Sequence, residues 1–199
     1  FIDAAYEYRF GKTKLIDGLA EKTGFGISMI YGDMRIITTF KKDGGEGRRI
    51  NGSYIEDEAS RMLAYRRISA ILNRKDFDDF VDEVIDRYGD PPSQVMTLAS
   101  VALVRSMAQQ AGFEKVSIKD DKVLFYYVSD KSIDFKAVSE VVDSAEFKDK
   151  ILLNAAGKPY LHYIPMAVPR TKLLDKCIML LENMLNSRKQ DSSENTQKE

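Results

Sequence analysis

The amino-acid sequence predicts an α+β fold, with helices packed on small antiparallel sheets and an N-terminal helix-plus-hairpin module. Apolar residues recur at helical intervals in several stretches, and two of these meet at a Gly-Asp-Pro-Pro corner at residues 89–92. Short alternating segments occur in pairs across turn residues, which is typical of β-hairpins. With 199 residues and 44% hydrophobic content, the chain can bury the cores of one or two globular domains.

The first 43 residues form the predicted N-terminal module. Residues 1–23 carry apolar side chains at roughly helical intervals, and residues 27–40 alternate around Gly32-Asp33 as a two-stranded hairpin. The charged, glycine-rich run KKDGGEGRR follows and predicts a linker at residues 44–49. We expect a C-terminal α+β domain over residues 50–186. Residues 187–199 contain no apolar residue, which predicts a disordered tail.

Three helices are predicted in the first half of the C-terminal domain. The first is amphipathic, begins near Glu56 and reaches Leu72. The second is capped by Asp76 and ends at Gly89, and the third is capped by Ser93 and is apolar on several sides. The buried stripe of the second helix is predicted from residues at i, i+3, i+4, i+7, i+8 and i+11: Phe77, Phe80, Val81, Val84, Ile85 and Tyr88.

The second half of this domain mixes strands and helices. Residues 114–118 and 122–128 form one predicted hairpin, and KILLN and YLHYI form another across residues 155–159. Between these hairpins, Asp134 is the predicted cap of a short helix. Pro169 introduces a last helix, whose apolar seam includes Leu173, Leu174, Cys177, Leu181, Met184 and Leu185.

Composition restricts the class of protein. Thirty basic and thirty-one acidic residues give a net charge of −1, so no overall field attracts nucleic acid. No apolar run approaches the roughly 20 residues that span a bilayer, which predicts a soluble chain. The single cysteine permits no internal disulfide and fits a cytoplasmic protein. Because the chain starts at Phe1 rather than at methionine, we expect it to be a segment of a longer protein.

Residues that suggest enzymatic chemistry have simpler structural interpretations. Gly11-Lys12-Thr13 departs from a phosphate-binding loop, because Tyr6 stands where the first glycine is needed. His162 is the only histidine, and Cys177 lies at an apolar helical position. The sequence therefore predicts no catalytic, cofactor-binding or metal-binding residue. A solvated helical face is predicted for Asp78, Asp79, Asp82, Glu83 and Asp86.

Four arginines are candidates for binding a partner. Arg61, Arg66, Arg67 and Arg74 lie on or beside one predicted helix, and the basic residues of the 41–49 run could join them. Arginines on an amphipathic helix also serve simply to keep a surface solvated. If these residues bind a partner, an acidic protein surface is as good a match as phosphate.

The C-terminal domain carries a distinctive series of motifs, which are Tyr54-Ile55-Glu56-Asp57-Glu58, Arg61, Tyr65-Arg66-Arg67-Ile68, Asp86-Arg87-Tyr88-Gly89-Asp90-Pro91-Pro92 and Gly112. In these motifs it resembles the C-terminal (TRCF) domain of bacterial transcription-repair coupling factor. The resemblance covers about residues 50–186, by the usual uncertainty of element boundaries. Glu56 departs from the family pattern, which usually has a proline there, and residues 1–49 are unmatched.

The resemblance implies a regulatory domain without catalytic residues or cofactors, within an ATP-driven DNA translocase. Such a translocase removes stalled RNA polymerase and recruits nucleotide excision repair. The domain would dock on the N-terminal repair-recruitment region of its own chain and mask the surface for the damage-recognition subunit. Contact with DNA would occur through the parent motor only. The alternative is an independent adaptor that binds protein or nucleic acid through the basic region at residues 41–74.

Overall fold

The computed structural model describes residues 28–31, 34–38, 50–119, 122–169 and 172–196. The predicted helix at residues 1–23 and the whole predicted linker at residues 44–49 lie outside these ranges. The strands are β1 (Ser28–Tyr31), β2 (Met34–Thr38), β3 (Phe113–Lys119), β4 (Lys122–Tyr127), β5 (Ile151–Asn154) and β6 (Tyr160–Tyr163). The helices are α1 (Glu58–Ser69), α2 (Arg74–Tyr88), α3 (Ser93–Gln110), α4 (Phe135–Asp143) and α5 (Leu173–Thr196).

The six strands form one sheet in the order β1-β2-β3-β4-β6-β5. All neighbouring pairs are antiparallel except β2 and β3, which run parallel. The three predicted hairpins are confirmed by the pairs β1–β2, β3–β4 and β5–β6. The α+β fold class is confirmed. The predicted small sheets join into one sheet, because β2 pairs with β3 and β4 pairs with β6.

Helix α3 is the centre of the core. It contacts α1, α2, α5 and the strands β2 and β3. Leu98, Leu103 and Met107 are buried at these contacts, which confirms that this helix is apolar on several sides. The chain leaves α3 through Gly112, whose φ of +88° is left-handed. A Cβ at Gly112 would lie 3.0 Å from the Ser132 carbonyl oxygen, so glycine is required there for both conformation and space.

The predicted helix boundaries are wrong at several positions. Helix α1 ends at Ser69, and Leu72 is 57% exposed instead of packing in its apolar face. Asn73 rather than Asp76 caps α2, since its side chain accepts a hydrogen bond from Asp76 N at 3.0 Å. Ser93 is the first residue of α3 rather than its cap, which is Pro92 and makes no side-chain hydrogen bond. The predicted cap of α4 by Asp134 is confirmed.

The C-terminal helix extends further than the sequence predicts. Helix α5 runs to Thr196, so residues 187–196 are helical where a disordered tail is expected. Ser187 is buried, and its hydroxyl donates to a carboxylate oxygen of Glu140 on α4. Arg188 donates to Asp134 Oδ2 at 3.0 Å and to the Gln110 carbonyl at 2.8 Å. These contacts with α3 and α4 stabilise a helical turn that has no apolar residue of its own.

Candidate protein-interaction surface

The corner between α2 and α3 is held by a tyrosine from the segment before α1. Gly89 ends α2 with φ of +78°, and its N–H donates to the Ile85 carbonyl at 2.9 Å. The hydroxyl of Tyr54 donates to the Gly89 carbonyl at 2.7 Å. The rings of Tyr54 and Tyr88 meet edge to face, with centroids 6.1 Å apart. These contacts therefore fix the segment before α1 to the end of α2.

Arg61 supports the start of α1. Its Nη1 donates to the carbonyls of Ile55 and Glu56, both at 2.7 Å. Asp57 caps the same helix by accepting from Ser60 N at 2.7 Å, and hydrogen bonds with Ser60 lower the pKa of this carboxyl. This guanidinium is occupied by the chain's own backbone.

The other candidate arginines do not gather into one patch. Arg67 pairs with Glu83 on α2, with Nε and Nη2 both 2.8 Å from Oε2. Arg74 pairs with Glu182 on α5 at 2.9 Å. Arg66 is exposed on α1. The structure thus directs three of the four side chains to partners within the chain and sends them to different neighbours.

An exposed apolar side chain lies among the charged residues of α1 and α2. Leu63 is 43% exposed, and it borders a shallow depression with Arg67, Glu83 and Arg87. Glu83 accepts from both arginines, since Arg87 Nη1 lies 3.2 Å from its Oε1. We call Leu63, Arg67, Glu83 and Arg87 the α1–α2 face. The depression holds only about 10 Å³, roughly one water probe, which suits surface contact better than a small ligand.

A second depression is wider and lies on another side of the helices. It has a volume of about 420 Å³ and is open to solvent. It is bordered by residues 72–74, by the end of α3 and by α5. Its lining consists of Leu72, Asn73, Arg74, Met107, Gln110, Glu182, Leu185, Asn186 and Arg188.

The residues with potential for chemistry are placed as follows. Cys177 is buried in α5, and burial raises the pKa of its thiol to about 12. His162 lies on β6, where burial and then Lys122 lower the pKa of its imidazole. Among the residues that the structure describes, no three His, Cys, Asp or Glu side chains come together as a metal site. The Gly11-Lys12-Thr13 triplet and the DGGEG run lie outside those residues.

The acidic side chains of α2 lie on its outer surface, as the helical pattern predicts. Asp78, Asp79, Asp82 and Asp86 are exposed. Glu83 instead turns toward α1. Ile85 was expected in the buried stripe but is 42% exposed, because α3 and α1 cover only the side of α2 that carries Phe77, Phe80 and Val84.

None of the described helices combines the length and apolar character needed to cross a bilayer.

Comparison with known proteins identifies the relatives of this chain. A family model for the TRCF domain matches residues 48–138. Transcription-repair-coupling factors are similar to part of the chain. The protein from Rickettsia prowazekii (strain Madrid E) is 31% identical over 72 residues, which cover 36% of this chain and 6% of that protein. In Escherichia coli (strain K12) the identity is 32% over 63 residues, 32% of this chain and 6% of that protein. The matched part is therefore a small fraction of those relatives.

A solved structure has the same fold. The crystal structure of the C-terminal domain of transcription-repair coupling factor superposes with a TM-score of 0.64 and 21% sequence identity. The match covers 78% of this chain and 94% of that one. Together with the family model and the curated relatives, it confirms the resemblance drawn from the sequence motifs.

Proposed function

Because this chain carries a TRCF domain, as transcription-repair coupling factors do, we propose that it is a non-catalytic regulatory domain of such a protein. The parent is a cytoplasmic, ATP-driven DNA translocase that releases stalled RNA polymerase and recruits nucleotide excision repair. The domain docks reversibly on the N-terminal repair-recruitment region of the same chain. In the docked state it masks the surface for the damage-recognition subunit, and engagement of polymerase releases it.

The observation that carries this proposal is the α1–α2 face. Leu63 presents an apolar side chain to solvent and is bordered by two arginines that share Glu83. An apolar centre with a charged rim is the usual arrangement of a protein–protein contact. The charged groups lie on an exposed surface, so each ion pair contributes little to folding and can be rearranged by a partner at small cost.

The α1–α2 face is also preformed. Tyr54 fixes the end of α2, Arg61 fixes the start of α1, and both helices pack on α3. A rigid surface loses little conformational entropy on docking, so a modest contact area is sufficient for reversible association. This suits a domain that must dock and release in each cycle.

The proposal is tested by binding in trans. The purified chain is titrated with the N-terminal region of its parent protein in a calorimeter. We expect Leu63→Glu to weaken binding at least about tenfold, since a buried charge at an interface centre costs more than about 1.4 kcal/mol. Met179→Glu is the matched control, because Met179 on α5 is 41% exposed and lies outside this face.

Two results would contradict the proposal. One is the absence of any binding between the chain and the N-terminal region. The other is an equal loss of affinity in Leu63→Glu and Met179→Glu, which would mean that docking uses another surface.

A further inference from the structure

Among the described residues, helices cover one face of the sheet and leave the other face open. The helices α3 and α4 contact it on the side where Val123, Phe125 and Tyr127 of β4 are buried. The residues that alternate with these point to the opposite side. Leu124 pairs across the strands with His162 and through it with Leu152, and Tyr126 pairs with Tyr160. We call Lys115, Leu124, Tyr126, Leu152, Tyr160 and His162 the open sheet face.

The open sheet face keeps large side chains accessible in the part of the chain that the structure describes. Leu152 on the edge strand is 58% exposed. Leu124, Tyr126 and Tyr160 are half-buried. In a sheet covered by helices on both sides, such residues would be buried. This face therefore has room for an occupant.

Two tyrosines lie side by side at the middle of this face. The ring centroids of Tyr126 and Tyr160 are 5.7 Å apart, with 47° between the ring planes. The ammonium of Lys115 lies over one face of the Tyr126 ring, 5.1 Å from its centroid. Aromatic rings on a sheet surface give flat areas on which planar bases can stack, and a lysine beside them can contact a phosphate.

Lysines lie on this face among the described residues. Lys115 and Lys122 are on the outward side of β3 and β4, and the ammonium of Lys158, just before β6, is paired with Glu114. Lys115 and Lys122 give the face cationic groups, although the whole chain has a net charge of −1. His162 adds an imidazole ring, and burial and then Lys122 lower its pKa.

We propose that the open sheet face binds single-stranded nucleic acid, with bases stacked on Tyr126 and Tyr160 and phosphates close to Lys115 and Lys122. A protein segment would need mainly apolar contact or acidic side chains. The pair of aromatic rings flanked by lysines matches a strand that alternates planar bases with negative charges. This function is separate from the docking proposed for the α1–α2 face.

The test uses fluorescence anisotropy with a labelled oligodeoxythymidylate of about 15 nucleotides, a length that covers one sheet surface. The whole chain is titrated, and a uridylate oligonucleotide of the same length distinguishes DNA from RNA. We expect the double variant Tyr126→Ala/Tyr160→Ala to bind at least about tenfold more weakly, because each stacked base contributes roughly 1–3 kcal/mol. Tyr126→Phe/Tyr160→Phe retains the rings and is expected to bind within about twofold of the unaltered chain.

Two further variants separate charge from general damage. Lys115→Gln/Lys122→Gln is expected to reduce the salt dependence of binding between about 50 and 200 mM salt, since fewer counterions are released. Phe135→Ala is the control, because Phe135 is 63% exposed on α4 and is not part of this face. Thermal melts of all variants show whether each one is folded.

Either of two outcomes would overturn the proposal. One is that the unaltered chain binds neither oligonucleotide, and the other is that the folded double alanine variant binds as tightly as the unaltered chain. Light scattering on the same samples tests for a competing occupant, which is a second copy of the chain. If the unaltered chain is a dimer and the double alanine variant is a monomer, this face is assigned to the second copy.

Discussion

Tyr54 joins two segments that are 35 residues apart in sequence. Its hydroxyl donates to the Gly89 carbonyl, and burial followed by the nearby Asp90 raises the pKa of this phenol. Tyr54→Phe removes the hydrogen bond and keeps the ring contact with Tyr88. We expect a loss of about 1 kcal/mol in the free energy of unfolding. A thermal melt should show a decrease of roughly 2–4 °C for a chain of this size.

The control for this prediction is Tyr160→Phe, which removes a hydroxyl from the open sheet face. We expect its melting temperature to stay close to that of the unaltered chain. Equal decreases in both variants would show that the Tyr54–Gly89 contact has no special role at the corner.

Tyr127 is a second residue whose hydroxyl affects stability in a way that substitution can test. Its ring packs against Phe113 in the core, and its oxygen is buried without a hydrogen-bond partner among the described residues. Burial raises the pKa of this phenol, and burial also raises that of Tyr163 to about 12. An unfolded tyrosine loses its proton near pH 10, while these two stay protonated in the fold. The stability they contribute is therefore complete below about pH 10 and decreases as the pH rises toward about 12.

We expect Tyr127→Phe to have two effects. At neutral pH the free energy of unfolding should be unchanged or rise by up to about 1 kcal/mol, because a buried unpaired hydroxyl is removed. Between about pH 9 and 11 the decrease in stability should become shallower. Urea unfolding at neutral pH, and at intervals between about pH 9 and 11, measures these two effects. A destabilised variant with an unchanged pH slope would contradict the assignment.

At the scale of single elements, the caps of α2 and α3 are where the sequence pattern and the structure disagree. Asn73 accepts from Asp76 N at 3.0 Å, and the Asp76 carboxylate accepts from Leu72 N, the residue before the cap, at 2.9 Å. Both residues are good caps in isolation. The choice between them depends on where the chain turns after α1, and Ser106 and Gln110 of α3 set this turn by donating to the Leu72 carbonyl.

Alanine substitution tests the two caps. Asn73→Ala is expected to lower the free energy of unfolding by about 1 kcal/mol, because an amide of the first turn loses its acceptor. Ser93→Ala is the matched comparison and should change stability by less than about 0.5 kcal/mol. Urea unfolding of both variants gives the two values. A larger loss of stability in Ser93→Ala than in Asn73→Ala would mean that Ser93 caps α3.

The end of α5 provides a test by truncation. A chain that ends after Asn186 loses Ser187 and Arg188, whereas a chain that ends after Arg188 keeps their contacts with α3 and α4. We expect the shorter chain to be about 2 kcal/mol less stable, since hydrogen bonds to a charged group contribute roughly 1.5–3 kcal/mol. Equal melting temperatures would mean that the helix end adds nothing to the fold.

At the scale of the whole molecule, the two proposed surfaces lie on opposite sides. The α1–α2 face lies on the outside of the helical layer. The open sheet face lies on the side of the sheet that faces away from α3. Substitutions at separated sites usually act independently. We therefore expect Leu63→Glu to leave oligonucleotide affinity within about twofold, and Tyr126→Ala/Tyr160→Ala to leave docking in trans within about twofold.

Anisotropy and calorimetry on the same two preparations measure this independence. A variant that weakens both interactions while remaining folded would place them on one shared surface. A variant that has lost its melting transition is excluded from the comparison.

Local patterns were sufficient for much of this protein. The buried residues Phe77, Phe80 and Val84 of α2, the cap of α4 by Asp134, the three hairpins and the Tyr-Gly-Asp-Pro-Pro corner could all be predicted from the sequence. Each depends on residues within one turn or one hairpin of each other, so periodicity and turn chemistry determine them. The motifs of the TRCF domain are of the same kind, because they are short runs at a corner and along a helix.

Tertiary structure decided which surfaces remain available to a partner. Arg67 and Arg74 look equivalent in sequence, yet one pairs with Glu83 and the other with Glu182, which is 108 residues away. From Val123 to Tyr127 both alternating sets of β4 are apolar or aromatic, so Lys122 alone distinguished the open side from the covered side in the sequence. Helix packing buried Val123, Phe125 and Tyr127 and left Leu124 and Tyr126 outside. The sequence by itself therefore determined most of the elements and the resemblance to the TRCF domain, while contacts between distant elements determined the surfaces, because those contacts exist only once the chain has folded.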